Sequence, residues 1–304
     1  MTSQLEIFEY LGIEQVEENL KTDIYDKTKR LIDKMFSEFG WAAIEGRIGS
    51  GKTTTTYQAL RDVIEQYSLK IKIVELSVPD RKGIKATHIL SEFVRTLGKE
   101  YDGSDVPRHS LDARTVQVKR ILMAMREQAA TALLVVDEAH ELEFKTLNVI
   151  KRLRDVTFLQ KSILLPVLFM GQPGLMGLID SNEEVRHRIK RGMRLEFTHK
   201  PKELAQILKY RSRDLLSQAE CESVVDALTR TENGRTLLPT PLELDDYLSE
   251  AMERAYKADH HTLSLRHFNL PDVTPKKSAP RKKVSIVANA APDVARNIES
   301  RSAS

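Results

Sequence analysis

Polar and apolar residues alternate along Lys70-Ile71-Lys72-Ile73-Val74-Glu75-Leu76, the period-two pattern of a half-buried strand. Two other stretches are apolar with almost no break: Ala132-Leu133-Leu134-Val135-Val136 and Leu164-Leu165-Pro166-Val167-Leu168-Phe169-Met170. They predict strands buried on both faces, as in a parallel sheet covered by helices. Trp41-Ala42-Ala43-Ile44 predicts a shorter buried strand, and Arg194 to Phe197 a last one. Helical patterns fill the gaps: Thr53 to Ile64, Ile84 to Leu97 closed by Gly98, Leu111 to about Ala129 behind a Ser110 cap, and Glu143 to Val156. Upstream, Ile24, Leu31, Ile32, Met35 and Phe36 recur at helical spacing within Leu5 to Phe39, which reads as helices on the flank of the core. From Pro201 the pattern is helical throughout, over Lys202 to Leu216, Glu222 to Thr231 and Pro241 to Ala258. Strands alternating with helices and then helices alone predict an α/β fold: a three-layer core with a parallel sheet, followed by a small all-helical lid. The expected divisions are an N-terminal helical segment over 1–39, the core over 40–200, the lid over 201–268 and a tail over 269–304.

Composition excludes several classes. With 304 residues, 41% hydrophobic and 30% charged, the chain has the make-up of a globular protein. No apolar run approaches the roughly 20 residues of a membrane helix. Met1 to Glu9 lacks the basic start and apolar centre of a secretory signal. A single cysteine, Cys221, leaves no partner for an internal disulfide. A cytoplasmic location without a membrane partner is the expectation. The net charge of +3 says little, but its distribution says more: the last 34 residues carry seven basic and three acidic side chains. With their Pro, Ser and Ala content they predict disorder, and a basic tail of this kind either touches phosphates or keeps the chain soluble.

The chemistry starts at Gly46-Arg47-Ile48-Gly49-Ser50-Gly51-Lys52-Thr53. Two glycines five apart followed by Lys and Thr form a phosphate-binding loop: backbone N–H groups face phosphate oxygens, and a side chain at the glycines would block them. Gly46, Ile48, Gly49, Ser50, Gly51, Lys52, Thr53 and Thr54 are the candidate nucleotide contacts. Lys52 reaches the β- and γ-phosphates and Thr53 ligates Mg²⁺. A strand before the loop and a helix after it are the arrangement this motif needs. A second motif follows about 84 residues on, where the apolar run ends in Asp137-Glu138. Ligands of open α/β sheets bind at such strand ends. Asp137 is placed to hold Mg²⁺ through its water shell, and Glu138 to polarise the attacking water. His140 reads as a local polar contact. Gln172, after the next buried strand, would sit between the motifs and sense the γ-phosphate; a simple turn is the equal alternative. Arg186 to Arg194 is the most basic stretch of the core.

In this order the motifs resemble those of an AAA+ ATPase, over about Gly40 to Phe268. More narrowly they resemble the branch of transposition target-selection ATPases, MuB and TnsC, with the secretion ATPase ExeA as a relative. That resemblance implies an ATP- and Mg²⁺-dependent ATPase that assembles as a homo-oligomeric ring or helical filament on double-stranded DNA and recruits a transposase. It implies Glu138 as the catalytic carboxylate, Gln172 as first sensor and Arg188 as the arginine finger offered to a neighbour, with Arg191 as runner-up. It also implies DNA contacts from Arg81, Lys82 and Lys85, with Arg108 and Ser110 in a second loop. The segment Leu237 to Glu243 lacks the second sensing Arg that many AAA+ lids carry. An ExeA-like envelope ATPase and a clamp-loader or initiator-type protein are the alternatives.

Overall fold

The computed structural model describes residues 7, 10, 11, 20–67, 70–76, 85–154, 157–158, 161–162, 165–232 and 234–270. Arg81, Lys82 and the basic stretch from residue 271 onward therefore lie outside the described residues.

Helix α1 (Asp23–Ser37) starts behind Thr22, whose hydroxyl accepts from the Tyr25 N–H, and carries Asp23 and Asp26 in its first turn, where the positive helix end favours them. Its buried face repeats at three and four residues: Ile24, Thr28, Leu31, Ile32, Met35. Five strands follow in one parallel sheet. They are β1 (Trp41–Glu45), β2 (Ile71–Leu76), β3 (Thr131–Val136), β6 (Val167–Gly171) and β7 (Arg194–Glu196), in the order β2-β3-β6-β1-β7. A short antiparallel pair, β4 (Thr157–Phe158) and β5 (Lys161–Ser162), precedes β6. The helices between the strands are α2 (Lys52–Tyr67), α3 (Ala86–Tyr101), α4 (Leu111–Glu127), α5 (Phe144–Arg154), α6 (Leu175–Ser181) and α7 (Glu183–Arg188). Central β1 and β6 are in register from Trp41 opposite Val167 to Glu45 opposite Gly171. Trp41, fully buried, donates its indole N–H to the Leu165 carbonyl at 3.1 Å and meets Phe169 edge to face. Because all five strands run one way, the phosphate loop, Asp137 and Gln172 emerge at the same edge of the sheet.

Beyond the core come α8 (Pro201–Arg211), α9 (Gln218–Leu228), a hairpin of β8 (Arg230–Glu232) and β9 (Arg235–Leu237), and α10 (Pro241–Lys257). They enclose a second apolar cluster, built on Leu204, Leu208, Val224, Leu244 and Leu248 and joined by Ile7 and Leu11 from the N-terminal stretch.

Three local expectations are corrected. The lid is not all helical: helix α9 ends at Leu228, and Thr231 and Thr236 pair across a turn that uses Gly234 at φ +75°. Gly98 does not close α3 but lies inside it, because the Ser104 carbonyl passes so close that a Cβ would stand 2.2 Å from it. Strand β6 begins at Val167, so Leu165 and Pro166 precede it, and Leu164 lies outside the described residues; Pro166 has no N–H to give the ladder, although its carbonyl accepts from Leu134.

Candidate active site

The phosphate loop leaves β1 at Glu45. Gly46 donates its N–H to the Gly171 carbonyl at 3.0 Å, and Phe197 packs so tightly on it that a Cβ would come within 2.9 Å. Gly49 and Gly51 have φ of +71° and +81°, which side chains rarely adopt. Space opens around Gly51, where a Cβ would meet nothing within 4 Å. Ser50 is buried with its hydroxyl unpartnered among the described residues, and Lys52, only 6% exposed, begins α2. An orphaned hydroxyl, a left-handed glycine facing open space and a lysine at a helix start are the donor set an anion needs. Ile48, Thr53 and Thr54 are exposed.

The two motifs meet directly. Thr53 Oγ1 donates to Asp137 Oδ2 at 3.0 Å, and Asp137 Oδ1 accepts from the Glu138 N–H at 2.9 Å. Glu138 stands in the left-handed region, φ 52° and ψ 36°. Such strain concentrates at active sites, and here it turns the chain sharply off the end of β3. Gln172 donates its side-chain N–H to Glu138 Oε2 at 3.2 Å. His140 Nδ1 lies 3.3 Å from the same oxygen and 3.4 Å from the Gln172 N–H, so it donates to the one or accepts from the other. Glu45 accepts from the N–H groups of Gly174 and Met176, which fixes the turn that carries Gln172.

The lid touches the loop through main-chain atoms. The Leu242 N–H, in the first turn of α10, donates to the Gly49 carbonyl at 3.1 Å. Arg47 Nη1 donates to the Leu238 carbonyl at 2.8 Å. Between Gly46 and Arg47, Phe197 to His199, and Leu237 to Pro241 lies a hollow of about 390 Å³. His199 Nε2 is 2.9 Å from the Ser50 carbonyl, while Nδ1 is buried without a partner among the described residues. Burial pushes the imidazole below its ordinary pKa, so the ring is neutral near pH 7 and donates from Nε2. Nothing in the sequence marked His199. It lies in the connection between core and lid, and only the folded chain brings it under the phosphate loop.

The basic stretch is largely committed within its own chain. Arg186 and His187 lie near Glu183, Lys190 pairs with Glu38 at 2.7 Å, and Arg194 pairs with Asp180 at 2.7 Å. Arg188, half-buried at the end of α7, holds its guanidinium 5.7 Å from the Trp41 ring centroid, at the edge of the sheet opposite the phosphate loop. Arg191 is exposed.

Of the residues expected to meet DNA, Lys85, Arg108 and Ser110 are described and exposed. Lys85 precedes α3, and Ser110 caps α4 by accepting from the Ala113 N–H at 3.1 Å. Arg114, which the sequence pattern did not single out, ties the two helix starts together: Nη1 donates to the Thr87 carbonyl, and Nε and Nη2 to the Arg108 carbonyl. Gln117, 1% exposed, organises the loop between α3 and α4. Its amide oxygen accepts from the Arg108 N–H, and its amide nitrogen donates to Asp102 Oδ2 and the Val106 carbonyl.

The fold and the joined motifs define a P-loop ATPase of AAA+ architecture. Residues 37–179, the span that holds the phosphate loop, Asp137, Glu138 and Gln172, match the family model of an AAA domain. Among solved structures, the ORC2 protein of Aeropyrum pernix, in ADPNP–ADP complexes, superposes with a TM-score of 0.60 at 16% identity, covering 85% of this chain and 69% of that one. Cdc6p from Pyrobaculum aerophilum gives 0.60 at 17%, with coverages of 84% and 68%. The Aeropyrum pernix ORC1 protein, in complex with DNA, gives 0.57 at 13%, with coverages of 85% and 66%. At these identities the likeness is one of fold. Comparison with curated proteins finds no match. Among the described residues no helix is long and apolar enough to cross a membrane.

Proposed function

We propose that this protein is an ATP-switched DNA-binding ATPase whose copies assemble on double-stranded DNA and present it to a transposase. The observation that carries the DNA reading is the Arg114 tie, which sets two cationic helix starts side by side at Lys85 and Arg108. Basic side chains and helix N-termini grip phosphates without reading sequence.

In the nucleotide site, Lys52 and the backbone N–H groups of residues 48 to 53 hold the phosphates. Thr53 would offer a hard oxygen ligand of the kind Mg²⁺ favours, and Asp137, which accepts from the Thr53 hydroxyl, would hold the ion through its water shell, with phosphate and water supplying the rest. That ion, when bound, offsets charge on the β- and γ-phosphate oxygens. Glu138 takes the proton of the attacking water. Gln172, bonded to Glu138, registers whether the γ-phosphate is present by keeping or breaking that bond. Arg191, exposed beyond α7, is a better candidate than Arg188 for a neighbour's nucleotide, because Arg188 is engaged against Trp41. The deciding experiment is electron microscopy of the protein with duplex DNA under no nucleotide, ADP or a non-hydrolysable ATP analogue. Rings or filaments with the analogue alone support the proposal. No assembly on DNA in any state refutes the DNA part and leaves the ATPase intact.

A second reading, an initiator-type DNA-binding ATPase, is favoured by the fold likeness to ORC2 and Cdc6p. A strong preference for one duplex sequence over random DNA would select it.

A further inference from the structure

A hollow of about 710 Å³ opens among the ends of α1, α2 and α4 and the first residues of β2 and β3. In a parallel sheet this is the edge opposite the phosphate loop. Its apolar lining is Phe36, Phe39, Ile71 and the half-exposed Tyr67 ring. Its rim is cationic: Arg30, Lys34, Lys70 and Arg126 stand against one lining carboxylate, Asp33, which accepts from the Tyr67 hydroxyl, and Lys34 also lies 4.0 Å from Glu38 outside the hollow. A second hollow, of about 430 Å³, shares Arg30 and Asp33 and continues along α1 past Lys29 to Asp26. From Asp26 to Ser37 the helix runs about 16 Å, the length of roughly five residues of extended chain.

Two lining residues carry strained backbone. Phe39 has φ 44° and Ala129 φ 54°, a region that side chains, aromatic ones above all, avoid. Both are the left-handed residues that close helices: the Gly40 N–H donates to the Met35 carbonyl after α1, and the Ala130 N–H to the Met125 carbonyl after α4.

We propose that this groove binds an extended acidic segment of a partner protein, with an aromatic or large aliphatic side chain in the hollow and carboxylates along the rim. The apolar lining calls for an anchor. Four cations on three separate elements call for several carboxylates at intervals, which a peptide supplies and a single small acid does not. Charged rims of this kind set selection and association rate. The inference rests on neither the DNA reading nor the oligomer reading.

The test is fluorescence anisotropy on the full chain with a labelled probe peptide, Glu-Asp-Trp-Glu-Phe-Asp-Glu, and its counterpart with lysine at every acidic position. The acidic peptide should bind with a Kd on the order of 10–100 µM, and the lysine peptide should not. Reversing Lys70→Glu together with Arg126→Glu should weaken binding about tenfold or more. Phe39→Gly suits the left-handed backbone and removes the ring. It should weaken binding while the melting temperature holds or rises. ATP turnover should be unchanged in each variant. Equal binding of the lysine peptide, indifference to the charge reversals, no binding at about 1 mM, or displacement of the peptide by indole or by duplex DNA at equal concentration would overturn the proposal.

Discussion

Gln117→Leu tests whether the loop between α3 and α4 is held in place by one buried amide. The substitution keeps roughly the same volume and removes three hydrogen bonds, with partners at 3.1, 3.2 and 3.2 Å. Each is worth about 0.5–1.5 kcal/mol net, so the upper bound is about 4.5 kcal/mol. The true cost is lower. Val106 and Arg108 are exposed, so their freed backbone groups reach water, and Asp102 keeps Arg120 at 3.4 Å. A loss of about 2 kcal/mol remains, which lowers the melting temperature by about 4–8 °C for a domain of this size. The same change removes the bond to the Arg108 N–H and leaves Arg108 held beside Lys85 by Arg114 alone. Affinity for duplex DNA, measured by anisotropy across a salt series, should fall, and the slope of log K against log salt should shrink by about one contact. ATP binding should be unaffected, because nothing Gln117 touches belongs to the phosphate loop. A variant that melts within about 1 °C of the parent and binds DNA with the same salt slope would refute both the loop argument and the assignment of Arg108 to the DNA face.

Glu138→Gln should lower ATP turnover about 10²-fold or more while nucleotide affinity stays near the parent's; equal turnover would remove Glu138 as the base. Gly49→Ala and Gly51→Ala both place alanine in left-handed backbone, at about 1–2 kcal/mol each. In Gly49→Ala the new Cβ also stands 2.7 Å from Leu242 Cβ, so its melting point without nucleotide should fall about 2–4 °C further; equal losses would show that the lid is not seated on the loop in solution. His199 has a folded pKa below its unfolded value, so its contribution to stability is complete above about pH 6.5 and is lost as pH falls below that. Melting curves from pH 7 to 5 should therefore fall less steeply for His199→Gln, which keeps a donor for Ser50; parallel slopes would refute the buried neutral ring. His267, lowered by burial too, remains in both proteins and cancels in that difference.

The sheet and its motifs were legible because they obey local rules. Unbroken apolar runs are buried strands, and a parallel sheet delivers their C-terminal ends to one edge, so Asp137, Glu138 and Gln172 had to be neighbours of the phosphate loop once the strands were recognised. The Ser110 cap was readable for the same reason. What escaped depends on contacts distant along the chain. Gly98 looked like a helix stop, but its role is to admit the Ser104 carbonyl. Arg114 and Gln117 looked like ordinary polar residues on an amphipathic helix, and only the path of the preceding loop gives them their partners. Arg188 was expected as a finger offered to a neighbour, and its place against Trp41 comes from the path of α7, which no local pattern gives. The lid hairpin is three residues a side, too short for its period to stand out from the helices around it.

The hydrogen bond from Leu242 to Gly49 is made by main-chain atoms at both ends. Such a latch has no side-chain signature. Nineteen of the twenty residue types at position 242 would supply the same N–H, and proline alone would not. A lineage of such proteins can therefore drift freely through this segment and keep its lid seated. Comparison by sequence would then see an element without a sensing arginine, although the lid there is joined to the nucleotide loop by the backbone itself.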